Sequence, residues 1–225
     1  MTLVTLQNDS ENKPIRDIAY ENLKHAIITG ELPPGSRIVE TVFANKLHIS
    51  RTPLREALRK LELDGLVHYE LRRGVFVNAF TLSDIEEIFT IRNAMMMLLL
   101  PSVIEKASEK DLEQLKAILV KMDAALGKDD CEELAVLNRQ FHDTFEHISD
   151  KKRILNVIDG QQEYIIRFSA VAIQSLPHRQ TAQEEHHEMV RLLEEKDLES
   201  LKILMQNHLE DSKNSCLSAL KNREF

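Results

Sequence analysis

The chain has 225 residues, room for one large domain or two small ones, and its 43% hydrophobic and 29% charged content belongs to a folded protein rather than a disordered one. The longest apolar run, Met95 to Leu100, falls far short of the roughly 18 residues a membrane helix needs, and the opening MTLVTLQNDSENK has neither the basic nor the apolar part of a signal peptide. A net charge of −8 argues against a nucleic-acid partner until the chain is divided: residues 1–78 carry 11 Lys and Arg against 10 Asp and Glu, and the remainder 18 against 27.

Four of six glycines and four of six prolines also lie in the first 78 residues. A turn-rich, near-neutral domain over 1–78, with residues 1–13 as a flexible tail, is therefore expected to precede an acidic domain over 79–225. Two cysteines, Cys131 and Cys216, cannot staple a fold of this size and suit a reducing cytoplasm.

Pro14 to Ile28 predicts a helix, with Ile15, Ile18, Ala19, Leu23, Ala26 and Ile27 on one side and Gly30 closing it. Leu32-Pro33-Pro34-Gly35 turns the chain, and Glu40 to Leu47 predicts a short helix burying Phe43, Ala44 and Leu47. After a tight connection at His48-Ile49, Ser50 is placed to cap a third helix running to Gly65. Its Leu54, Ala57, Leu58 and Leu61 recur at i, i+3, i+4 and i+7, the spacing of a core stripe. Arg51, Arg55 and Arg59 recur every four residues on another side, and Pro53 sits in the first turn, where its missing N–H is not needed.

Arg51, Thr52 and Arg55 offer guanidinium forks and a hydroxyl, chemistry suited to guanine edges and phosphates. Leu66 to Tyr69 and Val75 to Val77 predict two strands around a basic tip, Arg72-Arg73-Gly74. Helix, short helix, tight turn, basic helix and basic hairpin together describe a winged helix-turn-helix for double-stranded DNA.

This stretch resembles the GntR family of bacterial transcription regulators. The resemblance rests on Leu32-Pro-Pro-Gly-Ser-Arg-Ile38, Glu40, Ser50-Arg-Thr-Pro-Leu-Arg-Glu-Ala-Leu-Arg-Lys-Leu61, Asp64-Gly-Leu-Val67 and Arg73-Gly-Val-Phe-Val77. It implies a fold and a DNA-reading surface made by Arg51, Thr52, Arg55, Arg59, Arg72 and Arg73. Two positions depart from the family pattern: Thr41 stands where Arg is common, and His48 where Gly is usual.

From Ser83 on, the pattern is helical throughout, with six helices expected over Ser83–Ala107, Glu109–Leu126, Asp129–Ser149, Lys151–Ser175, His178–Glu195 and Asp197–Lys221. Short connections between them predict an antiparallel all-α bundle, so the whole chain is expected to be mostly α. In the third of these helices Leu134, Leu137, Phe141, Phe145 and Ile148 form the inward stripe, and Asn138 and His142 share it. His186 lies on the stripe of the fifth and His208 on that of the last, 22 residues apart. Three imidazoles and one amide oxygen make a plausible site for a divalent transition metal such as zinc, nickel or manganese. His147, His178 and His187 read as surface or capping residues.

Arg92 interrupts the apolar stripe Ile85, Ile88, Phe89, Met96 and Leu99. A buried arginine requires an anionic partner, which is either a protein carboxylate or a carboxylate ligand. Asp143 and Glu146 are expected to point off the inward stripe, which leaves no obvious general base and weighs against a metallohydrolase. An architectural DNA-binding protein, the third possibility, would have no need of Arg92 and the histidines inside its bundle.

The bundle resembles the FCD ligand-binding domain of the FadR subfamily. That resemblance assigns the metal to Asn138, His142, His186 and His208 and effector binding to Arg92. The family often has Glu four residues after that arginine, where this chain has Met96, so Arg92 is expected to lack its usual neutralising neighbour. The implied protein is a homodimeric, effector-responsive regulator, a repressor released by a small organic acid. It is expected to lie in the cytoplasm, with no membrane partner and no enzymatic activity.

Overall fold

The computed structural model describes residues 13–79, 81–172 and 175–221. Most of the expected N-terminal tail lies outside them. The described residues form nine helices and three short strands in two compact units that divide between Thr81 and Leu82.

The first unit runs α1 (Ile15–Ile28), β1 (Arg37–Ile38), α2 (Glu40–Lys46), α3 (Arg51–Leu63), β2 (Val67–Glu70) and β3 (Gly74–Val77). α1 buries Ala19, Leu23, Ala26 and Ile27, but Ile15, expected on that face, is exposed in the first turn. Leu54, Ala57, Leu58 and Leu61 of α3 are all essentially inaccessible. At about 1.5–3 kcal/mol for each buried Leu, the three leucines outweigh any intrinsic helix preference of α3. Tyr20 donates to Asp64 at 2.5 Å and carries Lys60 over its ring, pinning α1 to the end of α3.

His48, in the turn between α2 and α3, has φ +53°, a left-handed backbone that glycine adopts with less strain. β1 was not expected, because two residues carry no periodicity. It pairs antiparallel with β3, which also pairs with β2, in the order β1-β3-β2.

The second unit is α4 (Leu82–Lys106), α5 (Glu109–Gly127), α6 (Cys131–His147), α7 (Lys152–Ala172), α8 (Leu176–Glu195) and α9 (Leu198–Lys221). The expected continuation of α7 to Ser175 crosses residues 173 and 174, which are outside the described residues; Ser175 is the N-cap of α8. α5 opens with a full capping box, Ser108 accepting from the Asp111 N–H and the Asp111 carboxylate accepting in return. Asp129, Asp150 and Lys196 take left-handed conformations just after α5, α6 and α8 and make the short connections possible.

α5 packs on α6 and α8, while α4 packs on α7 and α9 and α8 on α9, around Met96, Leu99, Phe141, Phe145, Met189 and Met205. By length and composition α4 could cross a membrane, with a mean hydropathy of 1.4 over 18 residues, contrary to the expectation from its apolar run. Half of that window is buried within the bundle, and the helix carries the buried, ion-paired Arg92, so its apolarity belongs to a core helix.

Candidate functional site

In the first unit, Arg51, Thr52, Arg55 and Arg59 are all exposed along α3, the side opposite its buried leucines. Ser50 occupies the N-cap position with extended backbone, but its hydroxyl makes no capping bond. Arg55 Nε donates to Glu40 Oε2 at 2.7 Å, so a carboxylate of α2 holds one guanidinium edge of the most central arginine. At the hairpin, Arg72 is left-handed at φ +63°, and Arg73 is paired with Glu70 and lies 5.2 Å from the centroid of Phe76.

A groove between these elements is lined by Arg37, Glu40, Thr41, Arg55, Arg72 and Arg73. Arg37 was missed in the sequence because it lies in the unexpected strand β1. Its guanidinium passes directly under Gly74, where φ is +110° and a Cβ would stand 3.2 Å from Arg37 Nε. The glycine of the hairpin therefore serves both backbone and close approach. Four arginines against two glutamates, Glu40 and Glu70, line the groove, so it carries a basic excess despite Thr41.

In the second unit, one ligand nitrogen from each of His142, His186 and His208 lies within 4.8 Å of the others, and all three residues are buried. His142 Nε2 and His186 Nε2 are 3.2 Å apart. Two nitrogens bound at about 2.0–2.1 Å to one ion would stand roughly 3.0–3.4 Å apart, so the spacing suits a shared metal. Burial, together with the neighbouring histidines, holds His142 and His186 well below the usual histidine value of 6.5, leaving both imidazoles neutral and able to bind a cation.

His208 Nδ1 lies 2.6 Å from Glu185 Oε2. That contact turns the other ring nitrogen toward its two partners, as a carboxylate behind a metal-binding histidine does. Glu185 was not singled out in the sequence. Asn138 lines the same cavity of about 270 Å³ as the three histidines and Arg92. His187 is half-exposed and paired with Asp123, apart from the cluster. His178, expected on the surface or at a cap, instead lines the cavity, and burial lowers its pKa.

Arg92 and Glu146 form an ion pair at 2.5 Å with side chains 5% and 1% exposed. Two expectations are corrected here. Glu146 does not point off the inward stripe, and Arg92 is not left without a protein carboxylate. The α6 glutamate takes the place of the one absent at Met96, which is itself buried in the core. Burial pushes the Glu146 carboxyl up, and Arg92 opposes that shift. Arg92 Nη1 nonetheless has no hydrogen-bond partner among the described residues. A second buried arginine, Arg179, also lines the cavity; it pairs with the exposed Asp129 at 2.7 Å and contacts Cys131 Sγ.

A winged helix-turn-helix joined to a helical bundle whose cavity gathers buried histidines and arginines defines a DNA-binding regulator with a ligand domain. Residues 16–77 match the bacterial regulatory proteins of the gntR family and residues 87–211 match the FCD domain. The chain belongs to the GntR family of transcription regulators, in the branch that carries an FCD domain. It is 32% identical to the HTH-type transcriptional regulator YdhC of Bacillus subtilis, over 81% of this chain and 82% of that one. It is 22% identical to the HTH-type transcriptional repressor RspR of Escherichia coli, over 94% and 92% of the two chains. The solved structure of E. coli McbR/YncC superposes with a TM-score of 0.71 at 22% identity, covering 93% of this chain and all of that one, and supports the fold alone. These families and relatives are transcription regulators rather than enzymes, and FCD domains often bind metal.

Proposed function

We propose that this regulator is a cytoplasmic homodimeric repressor whose bundle holds a divalent metal through Asn138, His142, His186 and His208, and whose grip on its operator is released by a small carboxylate. The observation that carries the effector reading is Arg92 Nη1, a buried donor without a partner on a residue lining the cavity that also contains the histidines. A divalent ion among three neutral imidazoles adds positive charge that Glu146, already engaged by Arg92, does not offset. A carboxylate that completes the metal's coordination and accepts from Arg92 is the natural complement. The metal, when bound, supplies a Lewis-acidic anchor for that group; Arg92 orients it.

Arg51, Thr52, Arg55, Arg59, Arg72 and Arg73 meet the operator, and Arg37 joins them as a phosphate contact from the groove wall. One recognition helix reads only a few base pairs, so a pseudo-palindrome and a two-fold dimer follow. Exposed Ile91 and Leu98, seven residues apart on one side of α4, support a face for the second copy. RspR carries the name of a repressor, which supports that sense of regulation here.

The test is a thermal-shift screen of small mono-, di- and hydroxycarboxylates on tag-free, metal-loaded protein. Hits are then repeated on chelated protein and Arg92→Ala, and operator binding is measured with and without each hit. A carboxylate that binds only with metal and Arg92 present and weakens operator binding is the expected result. A neutral sugar or acyl thioester that binds regardless of both would overturn it.

A further inference from the structure

Beyond Arg92, the cavity carries polar atoms that neither a metal nor its carboxylate would satisfy. Arg179, Gln183 and His186 follow one another at i, i+4 and i+7 on α8, so they share one face of the helix. With a rise of about 1.5 Å per residue, Gln183 stands about 5 Å and Arg179 about 10 Å along the axis from the metal-site histidine. All three line the cavity, and Arg179 and Gln183 are 6% and 5% exposed. Arg179 Nε is a donor, and Gln183 Oε1 an acceptor, without a hydrogen-bond partner among the described residues.

Gln183 cannot resolve this by flipping its amide. Its Nε2 donates to Asp123 Oδ1 at 2.7 Å and to the Leu119 carbonyl at 3.4 Å, two acceptors that would repel an amide oxygen. The oxygen is thus held as an acceptor, one helical turn from the Arg179 donor. Gln162, from α7, adds a third unsatisfied atom, its buried Oε1, to the lining of the same cavity.

We infer that the effector carries a hydroxyl group beyond its metal-binding carboxylate, and that Arg179 and Gln183 select it. A hydroxyl accepts from Arg179 Nε–H and donates to Gln183 Oε1 at once. A second carboxylate would satisfy Arg179 but set its lone pairs against two glutamine oxygens, and Asp129 already meets the charge of Arg179. An alkyl end would leave donor and acceptors all unpaired. Further hydroxyls along the chain have Gln162 to receive them. The ligand class is therefore a hydroxylated monocarboxylic acid with the hydroxyl several bonds from the carboxylate.

This inference rests on the carboxylate reading of the same cavity, and its test separates the two. Isothermal titration of the metal-loaded full chain would compare ω-hydroxy acids of four to six carbons with the plain alkanoates and the α,ω-diacids of equal carbon number. For at least one length, the hydroxy acid is expected to bind at least tenfold more tightly than either counterpart. Gln183→Met is expected to shrink that preference to within about twofold, with metal content confirming an intact bundle. Arg179→Gln, which removes the donor instead, is expected to do the same.

Hydroxy acids that bind no better than alkanoates, or a preference that survives both substitutions, would overturn the inference and leave the carboxylate reading standing. Hydroxy acids that bind equally after chelation and in Arg92→Gln, yet lose their advantage in Gln183→Met, would support the hydroxyl site and overturn the reading of carboxylate at metal. Absence of binding by every acid in the set would overturn both.

Discussion

Arg55 is engaged within the protein itself, because Glu40 accepts from its Nε at 2.7 Å. The pair is exposed, so its own contribution to stability is small; its effect is to hold the guanidinium in one orientation at the head of the groove. A bidentate arginine–guanine contact contributes about 1–3 kcal/mol of discrimination. Arg55→Ala is therefore expected to weaken operator binding by roughly 5–150-fold and to relax base preference at one position per half-site. Fluorescence anisotropy on matched and singly altered operators would show this. Binding equal to wild type on every sequence would remove α3 from the groove.

Among the histidines, side-chain environment separates the proposed ligands from the rest. His208→Ala is expected to abolish metal retention and His187→Ala to preserve it, because His187 is half-exposed and turned to Asp123. Elemental analysis of the purified variants checks both, and equal metal content would refute the assignment. His208 and His186 were legible in the sequence because helical periodicity puts them on apolar stripes. Glu185 and Glu146 were not. Each belongs to a helix whose axial rotation is decided by neighbours that periodicity does not reveal, and a charged side chain is counted as surface until its partner is known.

Helices of this bundle are held at their ends as much as along their faces. The capping box of α5 satisfies backbone N–H groups that would otherwise be orphaned, and hydrogen bonds from Ser108 hold the Asp111 carboxyl below its ordinary value. Ser108→Ala is expected to lower stability by about 0.5–2 kcal/mol in chemical denaturation. Because the folded-state pKa of Asp111 is depressed, its contribution is present above the ordinary Asp value and fades as pH falls through the folded one. An unchanged midpoint at neutral pH would show that the cap contributes nothing.

The positions of α1, α2, α3 and the hairpin were readable to within a residue or two, since each carries a stripe, a cap or a glycine. β1 was not, because its two residues exist as a strand only through pairing with β3. His48 shows the converse: the sequence marks it as an unusual residue for the turn, and the backbone there is indeed left-handed.

Across the bundle, the buried ion pair and the buried histidines carry opposite lessons about stability. Removing one member of a buried pair leaves an uncompensated charge, so Glu146→Ala is expected to destabilise the second unit by about 3–5 kcal/mol and to lower its thermal midpoint by several degrees. A variant as stable as wild type would mean that Arg92 finds another anion. His142 and His186 are neutral in the folded state, their pKa values lowered by burial, whereas the unfolded chain binds protons near 6.5. Below that pH the unfolded state holds more protons than the folded one, so the stability of chelated protein falls as pH falls. Thermal melts of chelated protein between pH 7.5 and 5 are expected to show that slope, and a flat profile would contradict the burial of both rings.

The order of elements, the exposed arginines of α3, the two-part organisation and the histidine set all follow from local information: periodicity, caps, turn residues and spacing along single helices. The partner of Arg92, the rotation of Glu146 into the core, the entry of His178 into the cavity and the arrival of Gln162 in the cavity that Arg179 and Gln183 line do not. Each depends on which helix faces land together when six amphipathic helices close on one another. That is settled by close packing between residues some 40 to 60 positions apart, as between Arg92 and Glu146 or Gln183 and Asp123.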